Sequence, residues 1–114
     1  MTFPTRAYKV LTGPQIAELL GSGSFAGAPV DLADGFIHLS TEGQLTETLR
    51  KHFGGQADLW IVETDLVTLH DLVRWEPSRG GQLFPHVYGE LPLTAVLGHG
   101  PLVWSDDGKV LLPH

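Results

Sequence analysis

Thr41 and Gln44 stand three residues apart, directly ahead of Leu45, Leu49 and Phe53, and Gly54-Gly55 follows at once. A threonine and a glutamine at this spacing can each satisfy an orphan backbone donor at a helix start. Apolar residues at four-residue steps then give the helix one buried face. The pattern predicts a helix that stops at the two glycines, and it divides the chain into unlike parts.

Ahead of it, residues 6–11 read as a strand. Residues 14–20 read as a short helix, with Pro14 at the first helical position and Gly21 at the cap. The glycine-rich stretch 21–34 reads as an irregular surface loop, and residues 36–40 as a strand. Beyond it, residues 59–64, 72–76, 86–88, 94–98, 102–104 and 109–112 are predicted strands, with Asp107-Gly108 as a turn. Residues 65–70 form a turn or short helix and 78–82 a loop. Two helices early and strands late predict an α+β fold and not alternating βαβ units. The length, 114 residues, fits a single domain over 1–114, with no linker and no repeat at solenoid period.

Charge and composition narrow the function classes. Seven Lys and Arg against thirteen Asp and Glu leave a net charge of −6, and the basic residues are scattered singly except Arg50-Lys51. A duplex-binding surface needs clustered cations, so bulk nucleic acid is not the expected partner. A small-molecule or nucleotide ligand held by one or two arginines remains open. With no cysteine, disulfides, thiolate nucleophiles and Cys-type zinc sites are excluded. The opening residues lack a signal-peptide pattern and no apolar run approaches bilayer length. A cytoplasmic location, away from membranes, is the expectation.

Chemistry is concentrated in two short segments. Side chains alternate along a strand, so Phe36, His38 and Ser40 share one face, and Phe84, His86 and Tyr88 share another. If the two strands face one cleft, they build a polar patch walled by aromatic rings, the usual composition of a small-ligand pocket. Arg74 and Glu76 share a face of a third strand, opposite Trp75. Arginine is a fork-shaped donor for phosphate or carboxylate, and glutamate an acid, base or hydroxyl acceptor. The loop Ser78-Arg79-Gly80-Gly81 reads as a mobile flap carrying a second cation.

Plainer readings stand beside these. Either histidine can be a satisfied core residue, Arg74 with Glu76 a cross-strand ion pair, Tyr88 a packed ring with its hydroxyl at the surface, and Ser40 a helix-start signal. Same-face neighbours lie roughly 6.6 Å apart, too far for His38 to deprotonate Ser40 directly. The glycines at 21, 23 and 27 do not have dinucleotide-fingerprint spacing. His52, His70, His99 and His114 read as exposed, and Trp60, Trp75 and Trp104 as core. A metal site from His38, His86 and Glu76 would be a known ligand set, without any close-spaced His-x-His or His-x-x-x-His element behind it.

At Asp34-Gly35-Phe36-Ile37-His38-Leu39-Ser40, Arg74-Trp75-Glu76 and Phe84-Pro85-His86-Val87-Tyr88-Gly89 the chain resembles the domain-of-unknown-function family 952. The resemblance runs from Tyr8-Lys9 to about Val96. It implies an ADP-ribosyltransferase-like fold, a split and strongly bent β structure whose central cleft holds NAD in active members. His38-Leu39-Ser40 is similar to a strand ending of NAD-dependent RNA 2′-phosphotransferases. That likeness implies that His38 and Ser40 hold the nicotinamide-side ribose or pyrophosphate, with Arg74, Glu76, His86 and Tyr88 completing the pocket. The chain departs from the active relatives at its first strand, where Tyr8-Lys9 replaces their histidine or arginine, and it lacks the arginine set that grips RNA.

Two functional expectations follow. One is an NAD- or nucleotide-dependent transferase of ADP-ribosyl type, with Glu76 facing the developing charge, His38 and Ser40 orienting, and Arg74 on phosphate. There His86 and Tyr88 are secondary contacts. The other is a catalytically silent module that binds a small anionic metabolite or a protein partner in the same cleft.

Overall fold

Thr12 opens the first helix by the reciprocal arrangement that threonine and glutamine favour. Its amide donates to Gln15 Oε1 at 2.9 Å, and its hydroxyl accepts from the Gln15 amide at 3.4 Å. In this computed structural model, which describes residues 2–113 apart from the Arg79 side chain, helix α1 (Gly13–Ser22) follows strand β1 (Arg6–Thr12) directly. It runs past Gly21 and ends at Gly23, whose φ of 84° supplies the left-handed cap.

The remaining elements are β2 (Ser24–Phe25), α2 (Pro29–Asp34), β3 (Ile37–His38), α3 (Glu42–His52), β4 (Leu59–Asp65), α4 (Leu66–Leu69), β5 (Val73–Pro77), β6 (Leu83–Val87), β7 (Leu91–Pro92) and β8 (Val96–Pro101). They form two three-stranded antiparallel sheets, β1-β4-β8 and β3-β6-β5, with a small β2-β7 pair. The α+β class follows from this mixture. The membrane expectation has a narrower counterpart: no described helix is long and apolar enough to cross a bilayer.

β1 is buried along most of its length because the first sheet is covered on both faces. Ala7 and Leu11 point into one cluster with Leu19, Phe25, Ile37, Leu39, Val62 and Val87. Tyr8 and Val10 point the other way, against Leu45 and Leu49 of α3 and Leu59 and Ile61 of β4. The apolar stripe read from the sequence is thus the face with which α3 closes the second cluster. Beyond the shared core, Ser40 and Tyr8 link the two sheets by exchanging backbone bonds of 2.7 and 2.9 Å. Leu39 meanwhile still bonds Pro85 at 3.1 Å. The chain therefore leaves one sheet and joins the other within two residues.

Several expectations are corrected. The predicted loop 21–34 contains β2 and the whole of α2. Pro29 occupies the first turn of that helix, the Ala28 amide donates to Asp31 Oδ2 at 2.7 Å, and Gly35 (φ 87°) caps it. The predicted strands 94–98, 102–104 and 109–112 reduce to β8 and one Trp104–Val110 bridge. A short 3-10 turn, Leu93–Ala95, occupies the start of the first of them. β6 begins at Leu83, not His86, and Trp104 is exposed. The expectation for His114 lies outside the described residues, as does that for the Arg79 side chain.

Candidate functional site

His38 and His86 are direct partners in the β3–β6 ladder, so the two Phe-x-His segments are neighbours with their polar faces together. Val87 and Ile37, the alternate residues, point into the core. Phe36 lies against both histidines, stacked on His86 at 4.1 Å and tilted on His38 at 4.7 Å, while the two imidazole centroids are 5.4 Å apart. Tyr88 extends the ring cluster, 5.2 Å from Phe36, and the Arg74 guanidinium sits 5.2 Å over the Tyr88 ring.

Carboxylates orient both histidines. His86 Nδ1 lies 2.8 Å from Glu76 Oε1, which also accepts from the Tyr88 hydroxyl at 2.7 Å. These two donors, Tyr88 first, hold the Glu76 carboxyl below its ordinary range, and the bond correspondingly raises Tyr88. His38 Nδ1 lies 2.7 Å from Asp31 Oδ1, and its Nε2 lies 2.9 Å from Asp34 Oδ2.

Asp31 is the hub of the site. Its side chain is 1% exposed, and besides the His38 ring it accepts from the amides of Ala28 and His38 and from Lys9 Nζ at 2.9–3.0 Å. Burial alone would raise this carboxyl. The His38 bond and the Lys9 charge, with the Ala28 amide, outweigh burial and hold it at about 2. Lys9 has one carboxylate against the same burial, and there burial prevails, pushing the ammonium down. A second buried pair stands beside it: Tyr8, which also lines the cleft next to Lys9, donates to Glu63 at 2.9 Å between β1 and β4, where burial raises the phenol.

A cleft of about 590 Å³ opens beside the junction of the two sheets, lined among others by Lys9, Asp34, His38, Ser40, Phe84 and His86. Of the residues singled out from sequence, His38, Ser40 and His86 therefore reach one cavity. Ser40 also shares a 2.8 Å hydroxyl bond with Thr48 of α3. Arg74, Glu76 and Tyr88 lie outside the lining residues, on the continuation of the same face. Glu76 meets the cleft only through His86. His52, read as exposed, is exposed at the rim, and Ser78 of the predicted flap also borders the cavity.

The metal reading is not supported by this geometry. Among the described residues no group of three or more His, Asp or Glu side chains is placed to hold an ion. His38 turns both nitrogens onto aspartates, and His86 and Glu76 bond each other. A second concavity of about 670 Å³ between β8 and the C-terminal segment has His99 as its one titratable lining residue. It lacks the convergent polar groups of a ligand site. Lys9 and Asp31 are the site residues that sequence reasoning missed. Lys9 was visible only as a departure from a family pattern, and Asp31 was hidden in the supposed loop.

Comparisons with known proteins agree in extent. A family model described as protein of unknown function (DUF952) matches residues 10–99. The crystal structure of the protein CC0527 from Caulobacter crescentus superposes with a TM-score of 0.85 at 41% identity, covering 95% of each chain. Its solution NMR structure gives a TM-score of 0.79 at 40% identity, covering 93% of this chain and 91% of that one. No curated protein matches.

Proposed function

The chain belongs to the DUF952 family of proteins of unknown function, and from that premise we propose that its cleft binds a ligand of the NAD or nucleotide class for an ADP-ribosyl-type transfer. One observation supports this above the others: His38 and His86 are paired across two strands, each held by carboxylate, and both reach a cavity backed by Ser40 and a buried lysine. An ADP-ribosyltransferase-like architecture is part of the same proposal. Two antiparallel sheets that part at Leu39-Ser40, with the cleft beside the parting, suit a split, bent β structure.

In this reading NAD is the cosubstrate. The bond between nicotinamide and ribose breaks, nicotinamide leaves with the electron pair, and the lone pair of an acceptor hydroxyl or amine attacks the ribose carbon while that group's proton passes to water. His38 and Ser40 orient the ribose and pyrophosphate. Glu76 is a positioning residue: its charge acts at one imidazole's remove, through His86, on the positive charge that develops. Arg74, beyond the rim, meets a phosphate that projects past His86.

The test is thermal unfolding with NAD and ADP-ribose, followed by assay of nicotinamide release. A ligand at a hundred times its Kd stabilises the native state by about 2.7 kcal/mol, several degrees in a domain of this size. His38→Ala should abolish both the shift and the release. No shift at millimolar ligand sinks the proposal.

A second reading, a silent module for a small anionic metabolite, is favoured by one feature. Glu76 is occupied by His86 and Tyr88 and presents no bare charge to the cleft. A ligand shift without nicotinamide release identifies it.

A further inference from the structure

The two aspartates on His38 are not equivalent. Asp31 is buried and accepts from Lys9 and from two backbone amides as well as from the ring. Asp34 closes the last turn of α2, its side chain is 49% exposed, and among the described residues His38 Nε2 is its one hydrogen-bond partner. Asp31 cannot leave without stranding a buried lysine, whereas Asp34 gives up a single exposed contact of the kind that holds weakly.

We infer that Asp34 is a stand-in for the ligand, occupying on His38 Nε2 the place of a phosphate oxygen that displaces it on binding. The inference rests on the reading of the cleft as a nucleotide site and specifies which atom meets the phosphate. Carboxylates only accept, so both ring nitrogens must carry protons for both contacts to be hydrogen bonds, and the ring is then a cation between two anions. An occupant that replaces Asp34 restores that balance only if it is itself an anion. Asp34 lines the cleft, so its departure admits the newcomer into the same cavity. Phosphate oxygens take such charge-assisted bonds well. The bond to Asp31 meanwhile keeps Nδ1 engaged and the ring fixed, so that Nε2 stays directed into the cavity.

Calorimetric titration tests this with ADP, inorganic pyrophosphate and adenosine on wild type, Asp34→Ala and Asp34→Asn. Removing the internal competitor should tighten ADP by up to about fivefold, the range an exposed ion pair supplies. The isosteric Asn variant should behave as the Ala variant does, because charge and not bulk is the competitor. Adenosine should be unaffected. Asp71→Asn, which removes an exposed carboxylate outside the cleft lining, should leave ADP affinity unchanged, which separates a local exchange from a general loss of negative charge. Equal tightening of pyrophosphate supports the inference with a free oxyanion as source, and tightening of ADP alone supports it with a nucleotide. If wild type binds ADP and neither Asp34 variant binds it more tightly, this inference falls while the ligand site stands. Equal gains for adenosine overturn it too, since space alone was then released. If no variant binds any of the three, both fall.

Discussion

The buried carboxylate should write its own signature into the acid limb of stability. Asp31 is held at about 2 in the folded chain against an ordinary 3.8. A carboxyl depressed on folding contributes stability that is fully present above its unfolded pKa and is lost as pH falls through its folded pKa. At about 1.4 kcal/mol for each pH unit of difference, Asp31 should contribute about 2 kcal/mol at neutral pH, lost between about pH 5 and pH 2. With its side chain 1% exposed, solvent screening takes little from this.

The control is a protein without the titrating group. Asp31→Asn alone strands the Lys9 ammonium, 7% exposed, and should cost about 3–5 kcal/mol, the usual penalty for half of a buried pair. Lys9→Met combined with Asp31→Asn removes both charges and should recover much of that loss. Urea unfolding of wild type and the double variant at pH 7, 5, 3 and 2 then isolates the term. Wild type should lose about 2 kcal/mol more than the double variant over the acid range. Parallel curves would refute the claim that Lys9, Ala28 and His38 keep Asp31 ionised, and with it the account of how His38 is oriented.

Three further outcomes are expected. Tyr88→Phe removes the larger of the two donors on Glu76, so the Glu76 carboxyl should move up in a carbon-detected NMR titration; an unchanged midpoint contradicts the shared bond. Gly98→Ala should lower Tm by several degrees, because a Cβ there would stand 2.3 Å from the Pro113 carbonyl oxygen, whereas Gly100→Ala meets only ordinary contact at 3.6 Å and should change little. Ser40→Ala forfeits the hydroxyl bond to Thr48 across the sheet junction and should cost about 1 kcal/mol by urea titration; no loss would mean that this bond adds nothing to the hold on α3.

What the sequence made legible was mostly periodic. The four-residue steps of Leu45 and Leu49 carry α3 onto the core. The two-residue alternation in both Phe-x-His segments puts Ile37 and Val87 inside, with His38 and His86 on the opposite face. Periodicity fails where elements are short or composition misleads. Helix α2 has six residues, too few for a stripe, although Pro29, Asp31 and Gly35 stand where the first position, an early acceptor and the C-terminal cap belong. β8 carries Gly98, Gly100 and Pro101, which strand propensity disfavours. It forms nevertheless as an edge strand on β4, with a register shift at Glu63/Thr64, and Gly98 leaves room for the C-terminal segment across it.

The missed helix and the missed half of the site have one cause. Tyr8-Lys9 looked like the loss of a first-strand cation, yet Lys9 lies in the cleft wall with its charge answered by Asp31. That pairing is invisible as long as residues 29–34 are taken for loop, because only the turn of α2 brings Asp31 and Asp34 to the same histidine. Three residues along a helix is one face, and His38 lies across that face with a nitrogen toward each carboxylate. A buried ammonium with a single counter-charge is held at a cost, and the arrangement persists because the same carboxylate also fixes α2 and the His38 ring. Lys9 therefore supplies no free positive charge to a ligand. In a chain of net charge −6, the exchange inferred above would then give an incoming phosphate the His38 ring nitrogen that Asp34 lets go.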